Sequence, residues 1–135
     1  MTADEVAKEV VDAAIKVHQF LGPGLLESTY QACLTHELRR REHNVECELA
    51  LPVKFEGMPI EVGYRIDMRI DKLVLVENKT VEKILPIHVA QLLTYLKLSG
   101  LSLGFIINWN VILLRDGLQR VVRDHPEART AKQAS

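Results

Sequence analysis

The chain reads as an α/β or α+β protein built on a mixed sheet. Three observations predict it: two amphipathic helical stretches at the start, a central block of strand-like segments, and a Pro-initiated helix followed by further short apolar runs. Residues 4 to about 21 carry Val6, Val10, Ala13, Ala14, Val17 and Leu21 at a helical period, and Gly22-Pro23-Gly24 breaks it. A second helix is predicted from 25 to about 41, with Leu26, Tyr30, Cys33, Leu34 and Leu38 along one stripe. Residues 45 to 55 and 60 to 70 alternate as strands around a Glu56-Gly57-Met58-Pro59 turn, and 73 to 80 make a third strand. Pro86 opens a helix to about residue 99, where Gly100 stops it. Runs at 103 to 107 and 111 to 114 flank Asn108-Trp109-Asn110 and predict another hairpin, with 118 to 122 as an edge strand. Residues 1–124 are expected to form one domain, and 125–135, which lack periodicity, a disordered tail.

Composition narrows the function classes. A chain of 135 residues is long enough for a real core. Its formal charge of −1 provides no global field for nucleic acid, so such binding must use local patches. Arg39-Arg40-Arg41 is one candidate; a dipole-favoured helix C-terminus is the plainer reading. Cys33 and Cys47 form neither a disulfide framework nor a metal spacing and read as reduced thiols of a cytoplasmic protein. With no apolar run near ~20 residues and no signal-peptide pattern, a soluble protein away from the membrane is expected.

The most informative stretch is Arg65-Ile66-Asp67-Met68-Arg69-Ile70-Asp71-Lys72-Leu73-Val74-Leu75-Val76-Glu77-Asn78-Lys79. Side chains alternate faces along a strand, so the hairpin register decides whether its carboxylates meet. A two-residue turn at Asp71-Lys72 would leave Asp67 and Glu77 on opposite faces. A three-residue loop from Asp71 to Leu73 instead sets Ile70 against Val74, Met68 against Val76 and Asp67 against Glu77. One face then holds Ile66, Met68, Ile70, Val74 and Val76, and the other Arg65, Asp67, Arg69, Glu77 and Lys79. That separation favours the register that gathers two carboxylates and an ammonium, a set able to hold a hard divalent cation and activate water. The competing reading is a solvated face of salt-bridged charges.

Two helices add polar residues at matching spacings. Glu27 and Tyr30 fall three apart on one helix face, making Glu27 a candidate third carboxylate or simply a first-turn glutamate that complements the helix dipole. His88, Gln91 and Tyr95 form a polar stripe among Val89, Leu92, Leu93 and Leu96, which must meet ligand, water or one another. A satisfied core histidine and tyrosine would give the same pattern.

In order along the chain, Gly24-Leu25-Leu26-Glu27-Ser28-Thr29-Tyr30, Asp67, Glu77-Asn78-Lys79 and His88-Val89-Ala90-Gln91-Leu92-Leu93-Thr94-Tyr95-Leu96 resemble the GxxExxY protein family, grouped with the PD-(D/E)XK nuclease-like superfamily. The resemblance runs from about residue 5 to 123. Ile66, not proline, precedes Asp67. It implies a restriction-endonuclease-like core with a central mixed sheet of about four strands plus an edge hairpin, flanked by helices. It further implies that Asp67, Glu77 and the Asn78 carbonyl bind magnesium or manganese, with Glu27 reaching the metal through water. Lys79 would orient the attacking water or stabilise phosphate charge, and Gln91 would complete a catalytic set of Glu27, Asp67, Glu77, Lys79 and Gln91. Substrate contacts are expected from Tyr30, Arg65, Arg69, His88 and Tyr95, the two arginines meeting flanking phosphates.

Three functions fit these expectations: a metal-dependent nuclease hydrolysing phosphodiester bonds of DNA or RNA, a non-catalytic nucleic-acid or protein binding module, and a structural partner in a larger assembly. A homodimer is compatible with a chain this small, although no residue pattern specifies one.

Overall fold

The computed structural model describes residues 1–61 and 63–126. Its first helix, α1 (Ala3–Leu21), begins at Thr2, whose hydroxyl accepts from Glu5 N–H while the Glu5 carboxylate accepts from Thr2 N–H. After the break at Gly22 comes α2 (Glu27–Arg40). The strands β1 (Val45–Ala50), β2 (Val53–Phe55), β3 (Met58–Ile60), β4 (Arg65–Ile70) and β5 (Val74–Lys79) follow, then α3 (Pro86–Ser99), β6 (Leu103–Asn108) and β7 (Leu118–Val122).

Five strands form one mixed sheet in the order β1-β4-β5-β6-β7, in which only the β5–β6 pair is parallel. The crossover between those two strands contains α3 and covers one face, while α1 and α2 cover the other. Val10, Ala14, Leu34, Leu38, Met68 and Val76 belong to the core beneath α1 and α2. Ile66, Leu75, Leu92, Leu96 and Ile106 belong to the core beneath α3. Burial on both faces explains why β5 and β6 read as continuous apolar runs.

The predicted long strands at 45–55 and 60–70 are each broken. Pro52, which has no N–H, separates β1 from β2, and β2 and β3 pair only with each other as a small hairpin. The predicted hairpin at 103–114 is also absent. β6 pairs with β7 instead, and residues 114–116 make a 3₁₀ turn within the connection. Hydrogen bonds hold that connection down: Trp109 N–H donates to Lys79 O, and the Asn108 side chain bridges both backbone groups of Val81. Gly117 is required there because a Cβ would lie 2.0 Å from the Asn108 carbonyl oxygen.

The basic run at residues 39–41 is consumed internally. Arg40 and Arg41 pair with Glu37, and Arg39 donates to Val45 O. These guanidiniums, Arg40 first, hold the Glu37 carboxyl far below the usual carboxylate range, with Lys16 adding a further bond. His125, expected to begin a disordered tail, is instead buried, with ring nitrogens 2.8 Å from Ser102 Oγ and 3.0 Å from Asp4 Oδ1. The rest of that segment, 127–135, lies outside the described residues.

Tyr30 locks α2 to the turn before it. Its ring stacks on Trp109 at 4.8 Å between centroids, its hydroxyl donates to Gly22 O at 2.6 Å, and it accepts from Leu25 N–H. Tyr30→Phe keeps the stack but removes two part-buried hydrogen bonds to the backbone of Gly22 and Leu25, so urea denaturation is expected to give a loss of about 1–3 kcal/mol.

Candidate metal centre

The β4–β5 hairpin adopts the register that gathers the acidic groups. Ile70 pairs with Val74 and Met68 with Val76 across a loop of Asp71, Lys72 and Leu73. Asp71 and Lys72 both have positive φ, at 51° and 57°, as a type I′ turn requires. The Asp71 carboxylate tethers that turn to the start of β1, accepting from Asn44 N–H and meeting His43 Nδ1 at 2.6 Å.

The predicted separation of faces does not hold. The β1–β4 ladder lacks a pair at Glu48 and Asp67, where Glu48 takes a φ of 51°. Alternation reverses at that point: Cys47 and Met68 pack beneath α1 and α2, whereas Leu49 and Ile66 pack beneath α3. Arg65 and Arg69 consequently lie on opposite faces rather than one. Irregularities of this kind re-aim a side chain at the end of a ladder.

Here the re-aimed side chain is Asp67. Its Oδ2 accepts from Asn78 N–H at 2.8 Å, just beyond the last β4–β5 pair. Glu77, the neighbouring residue, is 5 % exposed, and its Oε1 is buried with no hydrogen-bond partner among the described residues. Burial, then the Asp67 charge and a side-chain hydrogen bond with Asp67, push the Glu77 carboxyl up to about 9; Lys79 opposes this. Glu27, at the exposed start of α2, is raised by burial and by Asp67, again against Lys79. Glu27, Asp67, Glu77 and Lys79 thus share one electrostatic neighbourhood. Glu48 joins it: it too raises Glu27, and it accepts from Gln31 Nε2 at 2.9 Å.

Asn78 is the node of the site. Its buried amide donates to Gln31 Oε1 and Met68 Sδ and accepts from Trp109 Nε1 at 2.9 Å. This joins α2, β4, β5 and the segment after β6.

The other expected residues divide. Gln91, His88 and Tyr95 line a cleft on the α3 side together with Lys79. His88 Nδ1 also accepts from Leu85 N–H at the start of α3. The Tyr95 hydroxyl is raised by burial, then by Glu77. Tyr30, expected to touch substrate, has no exposed surface and both of its hydroxyl bonds are internal, so it supports the fold instead. Arg69, expected to meet phosphate, is held by Glu46 through two bonds of 2.9 Å. Arg65 is exposed at the start of β4. Sequence reasoning missed Gln31, Glu48 and Tyr64, the last of which lines the Lys79 cleft. Gln31 follows Glu27 by four residues on the same helix face and was legible; Glu48 depends on the ladder defect and was not.

Among the described residues no group of three or more His, Cys, Asp or Glu side chains is placed to hold a metal ion. The two carboxylates still fit a hard divalent cation. One buried carboxylate oxygen lacks a partner, and a cation would satisfy it while relieving the repulsion from Asp67. With so few side-chain ligands the ion would retain waters, the habit of magnesium.

A mixed sheet covered by helices on both faces, with paired carboxylates and a lysine where two central strands part, defines a nuclease-like protein. A family model described as the PD-(D/E)XK nuclease superfamily matches residues 4–121, and the chain belongs to that superfamily. No curated protein and no solved structure gives a match. Among the described residues no helix is long and apolar enough to cross a membrane.

A carboxyl whose folded pKa is raised contributes stability that is present below its unfolded value of 4.5 and is lost as pH rises toward 9. In metal-free protein, denaturation across that window is expected to show stability falling by up to ~1.4 kcal/mol per pH unit. Glu77→Gln should flatten the slope.

Proposed function

We propose that this protein is a divalent-metal-dependent phosphodiesterase acting on DNA or RNA. The observation that carries the reading is the buried Glu77 carboxyl, one oxygen unpartnered, held beside Asp67 at the point where β4 and β5 part. Membership of a nuclease superfamily supports the same chemistry.

Asp67 and Glu77 would hold the cation, with the Asn78 backbone and waters as further oxygen ligands and Glu27 acting through water. Held there, the ion would supply a water of lowered pKa and neutralise charge on the phosphoryl oxygens. Lys79 projects on the Glu77 side of β5 and balances the carboxylates, which suits it to steady the charge that builds on the phosphate or to orient the attacking water. Gln91, exposed on α3 and lining the same cleft, would bond substrate. The Asp67–Asn78 bond fixes the carboxylate before substrate arrives.

The test is a cleavage panel of labelled DNA and RNA, single- and double-stranded, in magnesium and manganese. Wild type is expected to cut at least one substrate. Lys79→Met should retain metal affinity by calorimetry while the cleavage rate falls at least ~100-fold, and Glu77→Gln should lower both. Cleavage that survives Lys79→Met unchanged would belong to a contaminant or another site. Absence of cleavage with every metal would leave the binding-module reading in its place.

A further inference from the structure

The candidate centre opens on two unlike clefts. On the Asp67 side the lining carries charged and polar residues of both signs, with Glu27, Glu48, Gln31 and Arg39. On the Lys79 side lies a cleft of about 540 Å³ whose walls are chiefly apolar and aromatic: Leu51, Tyr64, Ile87, His88, Tyr95 and Leu98 among them. Among the described residues Lys79 is the one fully charged side chain in its lining. One cation cannot track a run of phosphates, so this cleft is unsuited to the sugar-phosphate backbone. Planar rings, aliphatic walls and the Gln91 amide suit a nucleobase, which presents a π-face for stacking and an edge for hydrogen bonds.

Two further observations bear on strandedness. Tyr64 is 50 % exposed and Ile87 67 % exposed at the rim, so their surfaces are available to an entering ring. Four of the arginines are engaged within the protein, Arg40 and Arg41 with Glu37, Arg39 with Val45 O, and Arg69 with Glu46, so that Arg65 at the exposed start of β4 is the remaining phosphate contact of those expected. A base can enter such a cleft only if it is unpaired.

We infer that the Tyr64–Ile87–His88–Tyr95 cleft receives an unpaired nucleobase adjacent to the phosphodiester at Asp67 and Glu77, making single-stranded nucleic acid the substrate class. This rests on the phosphodiesterase reading. Tyr64 supplies the accessible stacking face, and Lys79 joins the base cleft to the reacting phosphate.

The test measures fluorescence anisotropy of wild-type protein in calcium, which oxygen ligands accept as they do magnesium. Three probes of equal length are compared: a mixed-sequence single strand, the same strand annealed to its complement, and an abasic strand with the same number of phosphates. The base-bearing single strand is expected to bind at least about fivefold more tightly than either of the others. Tyr64→Ala should abolish most of that preference and Tyr64→Phe should keep it; the half-exposed position makes both substitutions compatible with folding. Equal binding of the abasic or duplex probe, a preference unchanged by Tyr64→Ala, or no binding of any strand would overturn the inference. A parallel magnesium cleavage assay separates the two readings. Cleavage without preference for single strands overturns the base cleft and leaves the phosphodiesterase standing, whereas base-dependent binding without cleavage keeps the cleft and removes the hydrolase.

Discussion

The bond from Asn78 N–H to Asp67 is the constraint on which the rest of the site depends. β4 and β5 pair regularly from their turn to Met68 and Val76 and then part. A backbone N–H left unpaired at that point would be a buried orphan, and the Asp67 carboxylate satisfies it. The same bond holds Asp67 beside Glu77, so backbone satisfaction and carboxylate pairing are achieved by one interaction.

Its consequence is an electrostatic conflict placed in the middle of the sheet. Glu77 loses solvation through burial and faces a second carboxylate, and Lys79 offsets only part of this. Elsewhere the chain avoids such conflicts: Glu37 is surrounded by three cationic side chains, and Asp71 bonds Asn44 and His43. Among the described residues the one buried side-chain oxygen without a partner is on Glu77, the expected mark of a functional site, where local consistency is given up for chemistry.

The support beneath the conflict is correspondingly rigid. Asn78 bonds three other elements, Trp109 stacks on Tyr30, and Tyr30 closes the turn before α2, where Glu27 begins. Two residues expected to share one functional helix face are thereby divided: Glu27 lies by the centre while Tyr30, one helical turn on, holds the helix in place.

Much was legible in the sequence because it depends on local period and parity. Helical spacing located α1, α2 and α3, and the binary pattern of Ile70, Val74, Met68 and Val76 chose the three-residue loop that brings Asp67 to Glu77. Long-range packing decided the remainder. The reversal at Glu48 and Asp67 arises from a missing ladder pair, so alternation alone placed Ile66 and Arg65 on the wrong faces. Whether Arg69 is free depends on Glu46 across the sheet, and the strand beside β6 is β7 because Trp109 and Asn108 are anchored to β5 and Val81. By itself the sequence determined which residues could carry the chemistry, since residue type and spacing are local properties. Only the tertiary structure decided which of them are free to do so, because a side chain's availability is set by partners distant in the chain.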